Sequence, residues 1–206
     1  MTDELRAGDA HRRATWESKW AQPDFVPAFG IKSIPPEVRQ VVEDGWFPSG
    51  ASVLDVGCGD GALAAWLAEE GYDVVGVDFA AAAIAKAERA YRGVKGLEFE
   101  VVDICEGPPT RTGFGALLDR GCLQGIPPDA VADYVRNVTA ASAPDARFLL
   151  LHRLHTGASA EQTAANLEEL FRGTFDVVRF ADTEIAADPS RFPEPMRGVA
   201  CWLVRR

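Results

Sequence analysis

Three glycines at alternate positions, Gly57, Gly59 and Gly61, lie between a strand-like run, SVLDV, and a helical run, ALAAWLAEE. Because glycine has no Cβ, its backbone N–H groups can face a ligand directly, and N–H groups that open a helix attract anionic and polar groups. A loop of this kind can hold the pyrophosphate of a dinucleotide or the nucleoside end of S-adenosylmethionine. It can also be only a tight turn between a strand and a helix.

Carboxylates at the ends of three successive predicted strands help to decide between these ligands and a simple turn. Asp55 lies two residues before the first glycine, Asp78 ends the second strand and Asp103 ends the third. A carboxylate at the end of the second strand can accept both ribose hydroxyls. Asp55 can orient the loop and a cationic amino-acid group, and Asp103 can accept a hydrogen bond from an adenine amino group. The set predicts an S-adenosylmethionine site, which also takes in the neighbouring Phe79 and Ile104.

A dinucleotide site is the alternative. The G-x-G-x-x-G/A fingerprint can be fitted to Gly57, Gly59 and Ala62, but such a match on its own is weak. An NAD-dependent reductase would also need a place for its second substrate, and we recognise no second substrate domain in the sequence. A catalytically idle subunit that only binds the cofactor is a further alternative.

Composition limits the class of partner. The chain has 206 residues, of which 47% are hydrophobic, a formal net charge of −10 and a pI of about 4.8. A protein that binds nucleic acid or an anionic membrane needs a cationic surface, so we predict a small-molecule substrate and neither of those partners. No apolar signal sequence opens the chain and the four cysteines form no metal-ligand pattern, so we predict a cytoplasmic protein without a metal. The sequence leaves the oligomeric state open, a monomer included.

The order of predicted elements indicates the fold. After two N-terminal helices, strands with few polar residues alternate with helices of ten or more residues, which is typical of a sheet covered on both faces. The last two strands have no helix between them and should pair antiparallel. We predict one α/β domain over 1–206, with a Rossmann-like, doubly wound, seven-stranded sheet that is mostly parallel and ends in an antiparallel strand. Residues 1–48 would form a helical lid and 49–206 the core.

Two further motifs carry a resemblance to a known family. The segments WESKW (16–20) and DRGCLQGIPP (119–128), together with the glycine loop, resemble the thiopurine S-methyltransferase-like branch of the class I S-adenosylmethionine-dependent methyltransferases. The resemblance implies methyl transfer to a small molecule, with sulfur as the favoured acceptor atom. A natural-product O- or N-methyltransferase is the alternative within the class.

The resemblance also implies roles for single residues. Trp16 and Trp20 would close over the cofactor, although tryptophans at this spacing also serve simply to dock a helix. The loop around Cys58 would contact the methionine end. Arg120 would lie near the cofactor carboxylate or the acceptor, with a purely structural role as the alternative. An aromatic residue after the second tryptophan, either Phe25 or Phe29, would border the acceptor.

Few side chains are candidates for acid–base chemistry. His155 follows the fifth strand and Asp119 ends the fourth, at the edge where such folds bind ligands. We therefore take both as candidate catalytic groups, while a solvated loop histidine is an equal alternative for His155. A thiol acceptor needs little beyond ionisation, whereas a phenol or an amine benefits from a general base. The proline-rich segment before the last strand offers four candidate acceptor-binding residues, Arg191, Phe192, Met196 and Arg197.

Overall fold

The computed structural model describes residues 3–27, 33–185 and 196–206. Two helices come first, α1 (Asp3–Trp20) and α2 (Pro36–Glu43). The remaining elements are, in order, β1 (Ser52–Val56), α3 (Ala62–Glu69), β2 (Asp73–Asp78), α4 (Ala81–Ala90), β3 (Leu97–Val101), β4 (Phe114–Arg120), α5 (Val131–Ala141), β5 (Ser142–Arg153), α6 (Ala160–Leu170), β6 (Phe175–Ile185) and β7 (Met196–Arg205). A short 3-10 turn, Leu123–Gly125, follows β4.

The seven strands form one sheet in the order β3-β2-β1-β4-β5-β7-β6. Pairs among β1 to β5 are parallel, and β7 runs antiparallel to both β5 and β6. The predicted Rossmann-like sheet with an antiparallel last strand is confirmed. The chain moves outward from β1 to β3 and then crosses to β4 on the other side of β1, so the strand order reverses between β1 and β4. Ligands of open α/β sheets bind at the carboxyl ends of the strands at such a point.

Apolar residues cover both faces of the sheet, because successive side chains of a strand point to opposite sides. Leu54 and Leu117 pack in the layer that contains residues of α5 and α6. Their neighbours Val53 and Leu118 pack in the other layer, with residues of α2 and α3. All four side chains are completely buried. The central strands are therefore held rigidly between two layers, and their carboxyl ends form a fixed edge.

The two N-terminal helices differ in what they contact. α2 begins at Pro36, as the pair of prolines predicts, because a proline in the first turn removes no helical hydrogen bond. α1 packs against α4. It is an 18-residue helix that ends at Trp20. Within the described ranges, no helix has both the length and the apolar character needed to cross a membrane.

Candidate functional site

The glycine loop turns tightly between β1 and α3. Gly57 and Gly59 have φ angles of 70° and 57°, in the left-handed region that only glycine adopts at little cost. A Cβ on Gly57 would lie 2.6 Å from Cβ of Cys122, and one on Gly59 would lie 3.1 Å from the Trp20 ring. Both positions therefore need glycine for its conformation and for the close approach of neighbouring groups.

A cavity of about 340 Å³ opens at the carboxyl ends of the parallel strands. All eleven residues predicted to contact the cofactor line it: Trp16, Trp20, Asp55, Gly57, Cys58, Gly59, Asp78, Phe79, Asp103, Ile104 and Arg120. The sequence patterns thus identified residues that the fold brings to one place. Their binding roles stay a prediction.

Asp78 stabilises the glycine loop from the next strand. One carboxylate oxygen accepts a hydrogen bond from the backbone N–H of Gly59 (3.1 Å) and the other from that of Ala80 (2.9 Å). Burial raises the pKa of Asp78, and these two hydrogen bonds oppose the shift. Each carboxylate oxygen can accept more than one hydrogen bond, so the group can still accept ribose hydroxyls while it holds the loop.

Asp55 is the most strongly desolvated acid of the site. Its side chain is 2% exposed, and its Oδ2 has no hydrogen-bond partner among the described residues. Burial raises the pKa of Asp55 to about 7, and the charges of Asp119 and Asp78 add to the shift. A buried carboxylate oxygen without a partner is costly. A ligand ammonium group placed against it would remove that cost.

Asp103 lies next to the first helix. Its Oδ1 accepts a hydrogen bond from the backbone N–H of Cys105 (2.9 Å), and its Oδ2 lies 3.3 Å from Nη1 of Arg13 in α1. The Oδ2 atom is buried and makes no hydrogen bond in the described part of the chain. The carboxylate thus faces both the cavity and a guanidinium group of α1.

The end of α1 packs directly over the cavity. Trp20 is 6% exposed and contacts Ala80 and Ala83 at the start of α4. Its ring centroid lies 5.1 Å from that of Phe25, in an edge-to-face arrangement. Phe25 is part of this aromatic cluster and is not among the residues that line the cavity. The two tryptophans therefore dock α1 onto the rest of the protein and also line the cavity.

Two arginines line the cavity at the ends of β4 and β5. Burial lowers the pKa of Arg120, while the carboxylates of Asp55, Glu37 and Asp60 oppose the shift. Arg153 is half-buried. Its backbone N–H donates to Oε1 of Gln124, a cavity residue in the turn after β4 (2.9 Å).

The two candidate catalytic groups lie elsewhere. Asp119 is fully buried and does not line the cavity; it accepts hydrogen bonds from the Tyr134 hydroxyl (2.6 Å) and from the backbone N–H groups of Cys122 (2.8 Å) and Leu123 (3.0 Å). Burial raises its pKa to about 6, and these hydrogen bonds oppose the shift. His155 is exposed, with its ring 6.2 Å from that of His152. The fold therefore brings neither group to the cavity, and their catalytic roles stay untested predictions.

The predicted acceptor-binding residues of the last loop are only partly described. Met196 is half-buried and pairs with Ile185 across β6 and β7. Arg197 is exposed and forms a salt bridge with Asp182 (3.1 Å). Neither is among the residues that line the cavity. Phe29, Arg191 and Phe192 lie outside the described residues.

Several cavity residues were not singled out from the sequence as site residues. They come from α1, the loop after it, the glycine loop and the strand ends: Arg12, Pro27, Asp60, Leu63, Cys105, Cys122, Gln124, Ile126 and Arg153. Gln124 and Ile126 lie inside the DRGCLQGIPP segment, so this motif could have identified them as site residues. Arg153 lies two residues before His155, which the sequence suggested as a candidate catalytic group.

Comparison with known proteins places this geometry in a family. The sequence model of the thiopurine S-methyltransferase family matches residues 11–200. A curated relative, the 2-heptyl-1-hydroxyquinolin-4(1H)-one methyltransferase of Mycobacteroides abscessus, is 34% identical over 127 residues, which are 61% of this chain and 55% of the relative. The chain thus spans just over half the length of that curated relative.

Solved structures show the same fold. One comes from work on the conversion of a disulfide bond into a thioacetal group during echinomycin biosynthesis. It has a TM-score of 0.77 at 21% identity, over 96% of this chain and 91% of that chain. The 1,6-didemethyltoxoflavin-N1-methyltransferase of Burkholderia thailandensis has a TM-score of 0.70 at 21% identity, over 100% and 91% of the two chains. The family match covers most of the sequence and confirms the predicted resemblance. The chain therefore belongs to the thiopurine S-methyltransferase family, within the class I S-adenosylmethionine-dependent methyltransferases.

Proposed function

We propose that this protein transfers the methyl group of S-adenosylmethionine to a small-molecule acceptor. One observation carries the proposal: a single cavity gathers the glycine loop, the acids of three adjacent strand ends and the two tryptophans of α1. A dinucleotide site would explain the loop and Asp78. It would not call for the partnerless buried oxygen of Asp55, which suits a ligand ammonium group.

The residues present fit this cofactor in the order of the strands. Asp103, after β3, would accept from the adenine amino group, and Asp78, on β2, from the ribose hydroxyls. Asp55 and the backbone of Gly57 and Gly59, at the end of β1, would hold the methionine portion. When bound, S-adenosylmethionine supplies an electrophilic methyl group on a good leaving group. The work left to the protein is to align the two reactants and to exclude water.

The N-terminal helix would exclude that water. Trp16 and Trp20 border the cavity from α1, and Glu17 and Arg13 link the same helix to α4 and to Asp103. We take residues 1–48 as a lid over the bound cofactor and 49–206 as the core of one methyltransferase domain. A small-molecule substrate and the absence of nucleic-acid partners stay predictions made from composition, and a cytoplasmic location stays a prediction made from the N-terminal sequence and the cysteines.

Sulfur is the acceptor atom that we favour. Among the described residues that line the cavity there is no histidine, and His152 makes a hydrogen bond through Nδ1 with the carbonyl oxygen of Arg153 (2.8 Å). A thiol loses its proton near neutral pH without a dedicated base, so it suits such a site better than an alcohol or an amine. The family name also indicates sulfur. An oxygen or nitrogen acceptor is the alternative, because the Mycobacteroides abscessus relative is named for a hydroxyquinolinone.

Two measurements test the proposal. Isothermal titration with S-adenosylmethionine, S-adenosylhomocysteine and NADH should show binding of the first two and not of the third. A screen with radiolabelled methyl donor against thiols, phenols and amines should then show transfer, with thiols as the best acceptors. Binding of NADH alone would contradict the proposal and favour a reductase. Cofactor binding without transfer to any class of acceptor would favour an idle subunit.

A further inference from the structure

The charged side chains at the strand ends of the cavity follow an order along the sheet. Asp103, Asp78 and Asp55 belong to the ends of β3, β2 and β1, and Arg120 and Arg153 end β4 and β5. These five strands are neighbours in this order, about 4.8 Å apart. The strand ends on one side of the cavity therefore carry acids and those on the other side carry two cations, while Arg12 of α1 and Asp60 of the glycine loop also line the cavity. The acidic half suits a ligand with a sulfonium and an ammonium group, which leaves the half at β4 and β5 for the acceptor.

The two arginines differ in how their charge is balanced. Arg120 interacts with the carboxylates of Asp55, Glu37 and Asp60. In the part of the chain that the structure describes, the Arg153 guanidinium makes neither a salt bridge nor a hydrogen bond, although its backbone N–H donates to Oε1 of Gln124. This is unexpected in a chain with 31 acidic and 21 basic residues. A half-buried cation without a counter-charge is unfavourable, so an anion placed there would be stabilised.

Among the described residues, the two histidines on either side of Arg153 offer it no negative charge. Burial lowers the pKa of the adjacent His152, and the charges of His155 and Arg153 act in the same direction. The cavity wall also contains the apolar side chain of Ile126, in the segment after β4. A ligand that fits this half of the cavity has an apolar body and one anionic group.

We propose that Arg153 binds a carboxylate of the methyl acceptor and so selects small apolar acids as substrates. The planar guanidinium group matches a carboxylate through two parallel hydrogen bonds, and it holds the acceptor in a fixed orientation. The hydrogen bond from the Arg153 backbone to Gln124 fixes the end of β5 against the turn after β4. This inference rests on the proposed function, because it assigns the acceptor of that same site.

Two probe molecules that differ in charge test whether Arg153 binds a carboxylate. 4-Mercaptobenzoate and 4-mercaptobenzamide have the same thiol and nearly the same shape. Their dissociation constants are measured by titration into the wild-type protein saturated with S-adenosylhomocysteine, and into R153M, R153K and R136M. Arg136 is a matched control, because it is an exposed arginine on α5 that pairs with Asp133. Circular dichroism and thermal unfolding verify that each variant is folded.

The wild-type protein should bind the benzoate roughly 10- to 150-fold more tightly than the amide, as expected for a charge-assisted hydrogen bond of about 1.5–3 kcal/mol. R153M should lose this preference, R153K should retain part of it and R136M all of it. Equal affinities in the wild type, no binding of either probe, or a preference that survives in R153M would overturn the proposal. A loss of S-adenosylhomocysteine affinity in R153M with an unchanged preference would instead assign Arg153 to the cofactor.

A different result would contradict the proposed function. If the wild-type protein does not bind S-adenosylhomocysteine at all, the cofactor assignment is wrong. The same two probes are then titrated without it, and the ratio of their affinities still reports whether Arg153 binds a carboxylate.

Discussion

Glu17, in α1, accepts a hydrogen bond from the backbone N–H of Ala82 in the first turn of α4 (3.1 Å). α4 begins after Ala80, whose side chain cannot cap a helix. A carboxylate 65 residues away in the sequence therefore does the work of a local cap, and its charge is favourable at a helix N-terminus. Because Glu17 lies between Trp16 and Trp20, this contact couples the start of α4 to the residues that cover the cavity.

The first prediction concerns this contact. Glu17→Ala removes the acceptor and should weaken S-adenosylhomocysteine binding by roughly 2- to 30-fold, which corresponds to the ~0.5–2 kcal/mol of a helix cap. Glu17→Gln is the matched control, since its amide oxygen can still accept the hydrogen bond and only the charge is lost. It should bind nearly as well as the wild type. The affinity and the dissociation rate are measured by titration and by stopped-flow tryptophan fluorescence. Equal affinity in Glu17→Ala and wild type would show that the contact does not support cofactor binding.

A second prediction follows from the approach of Trp20 to Gly59. Gly59→Ala places a methyl group 3.1 Å from the indole ring at a φ of 57°, so both the ring position and the backbone are strained. Gly45→Ala separates the two effects, because Gly45 has a φ of 67° and nothing within 4 Å of its would-be Cβ. Both variants should lose about 1–2 kcal/mol of stability from the left-handed backbone. Only Gly59→Ala should also lose cofactor affinity and change its tryptophan fluorescence. Identical behaviour of the two variants would rule out a role for the Trp20 contact.

The sequence predicted the fold, and it identified residues that the fold brings together in the cavity, for a simple reason. Strand and helix periodicity, a glycine loop and strand-end acids are local signals, and parallel strands bring their carboxyl ends together. Glu17 and Arg13 could not be found in this way, because their partners, Ala82 and Asp103, are far along the chain.

The alternation of side chains along a strand separates Asp119 from Asp55. Asp119 lies at a strand end, as predicted. Successive side chains of a strand point to opposite faces of the sheet, so the face that a side chain occupies depends on its position along the strand. Asp119 is two residues after Leu117, on the face that packs against α5, where Tyr134 lies. Asp55 is two residues after Val53, on the opposite face, which packs against α3. Knowing which face each helix covers requires the tertiary structure.

The third prediction tests the structural role of Asp119. Tyr134→Phe removes a buried hydroxyl that donates to this carboxylate at 2.6 Å, and it should lower the free energy of unfolding by about 1–3 kcal/mol. Tyr72→Phe is the control, because the buried Tyr72 hydroxyl donates to a neutral acceptor, the carbonyl of Phe47 (3.1 Å). Its loss should be smaller, about 0.5–1.5 kcal/mol. Urea unfolding of both variants at pH 7 gives the comparison. A larger loss in Tyr72→Phe would contradict the assignment of Asp119 as a charged anchor of the turn after β4.

The last prediction uses the raised pKa of Asp55, which is about 7 in the folded protein against an ordinary value of 3.8. Between these two values the unfolded chain has released the proton while the folded chain retains it. The contribution of Asp55 to stability is therefore complete below about pH 3.8 and is lost as the pH rises through 7. Asp119 acts in the same direction, with a pKa of about 6. The difference between wild type and Asp55→Asn isolates the first group, and the variant should gain stability relative to wild type from pH 5 to pH 8.

The affinity for the cofactor should depend on pH in the opposite direction, through the same residue. A ligand ammonium group favours the ionised form of Asp55, so the affinity for S-adenosylhomocysteine should fall as the pH drops below 7. Asp55→Asn should bind more weakly than the wild type at pH 8, and its affinity should change less with pH. Titration calorimetry in buffers of different ionisation enthalpy measures the proton released when the wild-type protein binds near neutral pH. A pH-independent affinity in the wild type, or the same proton release in Asp55→Asn, would place the ammonium group away from Asp55.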